Sequence, residues 1–349
     1  MRIRCACEIF INKKSWNRRQ DMRALLLDAI RKISMAVFSL AAFMSVAQAQ
    51  NYPTRPIKIV VAGPSGGGTD FLARLVADKL AKEFQQSVIV ENRPGASGLI
   101  GTKYVRQAQP DGYTLIMGHA ATHAILPLIH TDPTYDPIKD FTPISLIATA
   151  PEVLVVPAKS PIKTFADLLR LAKAKPSAAT YGTPGIGQPQ HILALRVMKQ
   201  AGINMLHVPY NGSSPALTDL LGGRLTSMFV TPAAVMPFIH SGKIRALAVS
   251  SQTRSKIMPD VPTLEEAGLT GLYQVGWFGL FGPAHMPKPV VGTLSQAVMK
   301  IMADPAIRKQ ISASYMEPEG STPEQFAAFQ AAEVAKFRKI VADANVKIN

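Results

Sequence analysis

Short runs of consecutive apolar residues alternate along this chain with longer stretches in which apolar positions recur every three or four residues. The first pattern predicts buried strands and the second predicts amphipathic helices. Strands are expected over 57–62, 88–91 and 114–118, with helices over 70–84 and about 99–108 between them. After apolar stretches at 146–147 and 153–157 the alternation restarts, with helices over 165–175, 190–200, 215–221 and about 233–241, and strands over 180–182, 206–208, 227–230 and 246–250. Such repetition predicts an α/β architecture with mainly parallel strands. A second set starting halfway along predicts a second domain.

The tail completes the plan. The apolar run 277–281 has too few strand neighbours of its own, and helices near 290–302 and 323–345 do not suffice for a third core. Packing these elements on the first sheet gives domain 1 as 50–150 plus 276–349 and domain 2 as 151–275. The chain then crosses twice, and the crossings can serve as a hinge. The last helix opens on Thr322-Pro323-Glu324-Gln325, a capping-box pattern with proline at the first helical position.

Ahead of these elements, Arg31 and Lys32 precede an uncharged apolar run over 33–46 that ends in Ala47-Gln48-Ala49. A largely apolar run of 14 residues closed by a small-x-small site reads as a cleaved export signal, since the run is too short to span a bilayer comfortably. Cleavage before Gln50 would release the protein outside the cytoplasm, into the periplasm. Met22 stands where an ordinary leader would begin, so translation is expected to start there. The first 49 positions hold nine of the 38 basic and three of the 23 acidic residues, leaving 29 against 20 and a net charge near +9. Cys5 and Cys7 leave with them, so the mature chain is expected to rely on its core alone, with neither disulfide nor thiolate metal site.

The remaining positive charge does not indicate nucleic acid. Lys159, Lys163, Arg170, Lys173 and Lys175 are spread along a helical stretch without interleaved aromatics, as on a solvated face. A general attraction for anions is what the charge supports.

The candidate chemistry lies in two glycine-rich strand-to-helix turns. One is Gly63-Pro64-Ser65-Gly66-Gly67-Gly68-Thr69-Asp70, and the other is Gly182-Thr183-Pro184-Gly185-Ile186-Gly187 ahead of a helix containing His191. Free amides at helix starts bind anions without a basic side chain. The same glycines also let helices pack closely on sheets. Asp70 in a first helical turn is stabilised by the helix dipole and competes with a bound anion, so it is read as orienting the loop. No metal-ligand spacing links the seven histidines, and His191, His207 and His240 read as structural. Tyr210, a phenol following a proline at a strand end, can present its hydroxyl to a cleft. Neither cofactor nor metal is expected.

Gly63-Pro64-Ser65-Gly66-Gly67 also fits G-x-S-x-G, the nucleophile elbow of a secreted serine hydrolase. Ser65 follows the first mature strand, however, before enough sheet exists for that fold, and no downstream histidine has a distinctive loop context. A P-loop is ruled out because no lysine stands between Gly68 and Thr69.

The chain resembles the Bug family, the TctC-like extracytoplasmic solute receptors of tripartite tricarboxylate transporters. The resemblance rests on Tyr52-Pro53-Thr54-Arg55-Pro56-Ile57, Gly66-Gly67-Gly68-Thr69-Asp70, Val90-Glu91-Asn92-Arg93-Pro94-Gly95-Ala96-Ser97-Gly98 and Pro110-Asp111-Gly112-Tyr113-Thr114-Leu115. It continues in Tyr135-Asp136-Pro137-Ile138-Lys139-Asp140-Phe141, His207-Val208-Pro209-Tyr210-Asn211-Gly212, Asp219-Leu220-Leu221-Gly222-Gly223 and Pro259-Asp260-Val261-Pro262-Thr263, covering essentially 52–345. It implies a two-lobed, periplasmic-binding-protein-like fold of the type II, flytrap kind, closing as a monomer around a small carboxylate destined for permease subunits. A sensor passing its closed state to a signalling partner would use the same fold.

The positions carried over are Ser65, Gly66, Gly67, Thr69 and Asp70 in the first turn and Ala120, Thr122 and His123 after the third strand. On the second lobe they are Thr183, Gly185, Gln188, His191, Tyr210, Gly212, Ser213 and Thr231. The chain departs from the family's common form at Ala62-Gly63-Pro64-Ser65, at Gln188-Pro189-Gln190, and at Val230, where an Asp is common. Without an acid at Val230, a ligand with a buried ammonium is disfavoured. The expected ligand is a mono-, di- or tricarboxylate, aliphatic or aromatic.

Overall fold

The run Ile57–Val61 forms strand β1, and its neighbours in sequence form β2 (Val88–Asn92) and β3 (Thr114–His119). Ile57, Ile59 and Val60 are fully buried, as expected of a strand covered on both faces by helices. The covering begins with α1 (Gly68–Phe84) and α2 (Leu99–Arg106). This is a computed structural model, which describes residues 52–130, 135–255 and 258–344. The stretch read as an export leader and both cysteines lie outside them.

After β3 the chain makes a π turn, Ala121–Ile125, and a single helical turn, α3 (Leu126–Ile129). Then come β4 (Phe141–Pro151) and β5 (Val153–Pro157), followed by α4 (Phe165–Ala174), β6 (Thr180–Thr183), α5 (Pro189–Ala201), β7 (Leu206–Pro209), α6 (Ser213–Leu221), β8 (Ser227–Val230), α7 (Pro232–His240) and β9 (Ile244–Val249). The tail supplies β10 (Val275–Pro283), α8 (Lys288–Ala303), α9 (Pro305–Ala313), β11 (Glu317–Pro318) and α10 (Pro323–Ala344). The expected capping box is present: the Gln325 amide donates to Thr322 Oγ1 (3.2 Å) while the Thr322 amide donates to Gln325 Oε1 (3.0 Å). Helix α9, absent from the periodicity reading, starts at Asp304-Pro305, where Asp304 Oδ1 accepts the Ala306 amide (2.8 Å).

Two sheets result. The first has the order β11-β4-β10-β3-β1-β2 and the second β7-β6-β8-β5-β9. Their strands are mixed in direction, which corrects the expectation of mainly parallel sheets. β1–β2, β1–β3, β6–β7 and β6–β8 are parallel; β10–β3, β10–β4, β11–β4, β5–β8 and β5–β9 are antiparallel. The βα repeats generate the parallel pairs. The strands leading into or out of a crossing, β4, β5, β9 and β10, run against their neighbours.

The tail lies on the first sheet, with β10 between β3 and β4. Its aromatic residues join those of α10: Trp277 meets Phe326 edge-on at 5.9 Å, and Phe281 lies 4.7 Å from Phe326. These rings share one buried cluster with Val60, Ile116 and Phe337. The second sheet has its own clusters, one built on Leu154, Tyr181 and Phe229, the other on Val155, Met228 and Val230.

Candidate functional site

Parallel strands followed by helices bring their C-terminal ends to one edge of a sheet, and that edge is where open α/β sheets take ligands. All the sequence-identified site residues fall there. Ser65, Gly66, Gly67, Thr69 and Asp70 follow β1, and Ala120, Thr122 and His123 follow β3. Thr183 ends β6 and Gly185, Gln188 and His191 follow it, Tyr210, Gly212 and Ser213 follow β7, and Thr231 follows β8.

The two glycine turns share one construction. In the first, Gly66 sits in the left-handed region at φ +84°, and its amide donates to Asp70 Oδ2 (2.9 Å), the third residue of α1. In the second, Gly187 sits at φ +76°, and its amide donates to Nδ1 of His191 (3.2 Å), the third residue of α5. In each case one amide is held by a side chain four residues on, which fixes how the loop enters the helix. The next backbone donors are then left over. The amides of Gly67, Gly68 and Thr69 have no acceptor among the described residues, nor do those of Gly185, Ile186 and Gln190. The start of α6 adds Ser213 and Ser214, where Gly212 is tied down by donating to the Pro184 carbonyl (2.9 Å).

Around Asp70 the network is closed. Asn92 Nδ2 donates to Oδ1 (2.9 Å), and Arg74 Nε donates to Oδ2 (3.0 Å). Burial raises this carboxyl's pKa, but the bonds from Arg74, Gly66 and Asn92 outweigh it and hold the group below the usual carboxylate range. Asp70 is thus an ionised loop anchor whose charge is matched by Arg74. His191 does the same work without charge. It stacks on His207 (4.2 Å), which stacks on Tyr181 (4.8 Å), and burial pushes both imidazoles down to about 4. Thr183 Oγ1 lies 2.7 Å from His207 Nε2 and is fully buried. Neither imidazole is a cation near neutral pH, so neither brings a charge to an anion here, and the unengaged backbone N–H groups are donors this edge offers.

Other side chains are placed differently from the sequence reading. Thr122 and His123 are fully buried beneath the edge: Thr122 Oγ1 contacts His123 Nδ1 (2.9 Å), and the imidazole stacks on Phe281 (4.2 Å). Ala120 is also buried. The π turn rotates these residues inward, so they support the floor. Tyr210 does not offer a free hydroxyl, because its Oη donates to Asp219 Oδ2 (2.7 Å), itself held by Arg224. Burial and that bond push the phenol up to about 12. Gln188 and Thr231 are half-buried residues immediately preceding α5 and α7, and neither makes a side-chain capping bond. Val230 pairs with Val153 in the core.

Several neighbours escaped the sequence reading. Half-buried His119 ends β3, stands opposite Phe278 on β10, and accepts the Ala121 amide at Nδ1 (3.3 Å). Phe278 and Met316 flank Gly68, within 4 Å of where a Cβ would stand. Ile186 is exposed between the two positive-φ glycines of the second turn. Apolar surface thus lies beside the amide donors of each turn. Only the adjacency of β1, β3 and β10 brings the first-turn group together, and no local motif marks it.

Ser65 is exposed, has no left-handed strain, and no histidine hydrogen bond reaches its hydroxyl. Among the described residues, no group of three or more His, Cys, Asp or Glu is placed to hold a metal.

Known proteins resemble this chain in sequence and fold. The family model described as "Tripartite tricarboxylate transporter family receptor", TctC, matches residues 72–346. A solved structure described as a periplasmic transporter is 36% identical, with a TM-score of 0.80 over 85% of this chain and 100% of its own. Rpa4515 of R. palustris, solved with adipate, is 34% identical, with a TM-score of 0.81 over 85% of this chain and 99% of its own. MatC (Rpa3494) of Rhodopseudomonas palustris, solved with bound malate, is 30% identical, with a TM-score of 0.77 over 83% of this chain and 100% of its own.

Proposed function

Starting from the fact that the chain belongs to the tripartite tricarboxylate transporter receptor family, we propose that it captures a small dicarboxylate between two lobes and presents it to membrane permease subunits. It is a periplasmic solute receptor of that family, not an enzyme. The lobes correspond to the first sheet, with residues 50–150 and 276–349, and the second sheet, with 151–275.

The observation that carries this reading is the shared construction of the two turns. Each spends one glycine amide on an internal anchor and leaves several others unengaged, so two separate anion cradles face two acidic groups. The adipate and malate held by two relatives are both dicarboxylates. Binding at both turns at once makes closure favourable, because a ligand shifts an equilibrium only by its differential affinity for the two states. The test is a thermal-shift and calorimetric screen. Adipate, malate and neighbouring chain lengths are expected to stabilise the mature protein, by about 2.7 kcal/mol at a hundredfold excess over Kd. Stabilisation by diamines, with none by carboxylates, would contradict the reading.

Export follows from the leader. The mature protein is expected to begin at or near Gln50, and initiation at Met22 is expected to leave secretion intact. N-terminal sequencing of the exported protein decides the first point. An intact leader retained in the membrane would refute cleavage, and loss of secretion from the Met22 start would assign a role to residues 1–21.

A further inference from the structure

Both passages of the chain between the sheets run through one small polar cluster. β4 leaves the first sheet at Pro151 and β5 joins the second at Val153, so Glu152 alone spans the outward passage. The return runs from Ser250, just after β9, to Gln274, just before β10. These segments are joined side by side. The Ser250 amide donates to the Glu152 carbonyl (2.9 Å), the Glu152 amide to Ser250 Oγ (2.8 Å), and the Gln274 amide to the Ser250 carbonyl (2.8 Å). Helix α5 closes the cluster: Gln190 Nε2 donates to Glu152 Oε2 (2.9 Å), and Gln274 Nε2 donates to the Pro189 carbonyl (2.6 Å).

Two buried acceptors remain without a donor, Glu152 Oε1 and Gln190 Oε1. An ionised carboxylate with an unpaired oxygen is costly at a residue only 1% exposed. A proton removes the buried charge and makes Glu152 a donor, and Gln190, already its hydrogen-bond partner, carries a free acceptor. Burial pushes this carboxyl up to about 8, against the opposing effect of the Gln190 bond. The surrounding charges leave it alone. Arg196 on α5 donates to the Tyr273 carbonyl (3.1 Å) and Gln274 Oε1 (3.4 Å). Glu333 on α10 is paired with Lys336. From the end of β9 and the start of β10 the cluster receives Ser250, which follows β9, Gln274, which precedes β10, and Gly276, none of them charged.

We propose that Glu152 is a proton-binding site at the passage between the sheets, and that its proton ties α5, and with it the β6–α5 turn, to the crossing strands in the solute-holding arrangement. The coupling to solute rests on the dicarboxylate reading. An arrangement that opens the crossing to water favours the ionised form, so raising pH favours opening and lowers affinity. The sign for stability follows from the raised pKa. The contribution is fully present below the unfolded carboxyl value of 4.5 and is lost as pH rises through about 8.

The test compares the mature wild-type protein with E152Q, a neutral and nearly isosteric replacement. Thermal unfolding without ligand is followed from about pH 5 to pH 9, and adipate binding is titrated in two buffers of different ionisation enthalpy near pH 8. The wild type is expected to lose stability across that range, to take up a fraction of a proton on binding, and to lose affinity by at least about threefold between pH 6 and pH 9. E152Q is expected to lack all three effects beyond the background of other groups. If E152Q fails to fold, isotope-edited infrared detection of the wild-type Glu152 carboxyl replaces it, and a carboxylate band persisting at pH 6 overturns the proposal. Equal slopes in the two proteins also overturn it. Failure of adipate to bind the wild type refutes the ligand reading instead, while the ligand-free slopes still report the proton.

Discussion

Gly67→Val is expected to leave the protein folded with nearly unchanged thermal stability while weakening dicarboxylate binding by more than about tenfold. Gly67 has φ −82° and ψ 170°, an extended backbone that valine adopts readily. A Cβ there would meet only the Pro64 carbonyl oxygen, at 3.9 Å. A β-branched residue could harm this position by straining the turn or by obstructing the amides, and the geometry removes the first. What is left is a branched side chain standing where the ligand would approach the free donors of Gly67, Gly68 and Thr69. Ser65→Ala provides the contrast. Its hydroxyl is at most one hydrogen bond among several, so a loss of about two- to tenfold is expected. Calorimetry on both variants, with unfolding curves as the control, checks the pair. Normal affinity in a folded Gly67→Val protein would remove the first turn from the site.

Gly279→Ala is expected to cost about 3 kcal/mol and to lower Tm by several degrees. An added Cβ would stand 2.0, 2.5 and 3.0 Å from three atoms of the Phe326 ring. That ring cannot retreat, because Trp277 and Phe281 hold it and the residue has no exposed surface. The substitution tests whether the tail is integral to the first sheet, since Gly279 lies on β10 and Phe326 on α10. Gly292→Ala is the control. It lies within α8 with nothing near its Cβ position, and a gain of about 0.5–1 kcal/mol is expected. Equal stability of the two variants would contradict the packing argument.

Much of this arrangement is legible in the sequence because it is local. The β1–α1 and β6–α5 turns, the capping box at Thr322 and the α/β alternation each depend on residues within a few positions of one another. Strand direction is different, because nothing near 275–283 says that β10 will lie between β3 and β4. His123 illustrates a second limit. A polar residue after a strand reads as an edge residue, yet the π turn buries it against Phe281. Tyr210 shows a third, since its hydroxyl is claimed by Asp219, nine positions away across the start of α6. Asn92, part of a motif that carried the resemblance, acquires its role as a support for Asp70 only because β2 is the neighbour of β1. Glu152 reads as a polar break between two apolar runs, and only the pairing of both passages shows that it is buried.

The central claim, that backbone amides of two separate turns hold the two ends of one dicarboxylate, is tested most directly by an amide NMR titration of the mature protein with adipate. The account predicts that the resonances of Gly67, Gly68 and Thr69 and those of Gly185, Ile186 and Gln190 shift together, saturating at one equivalent. Saturable shifts confined to one turn, or lying away from both, would contradict it.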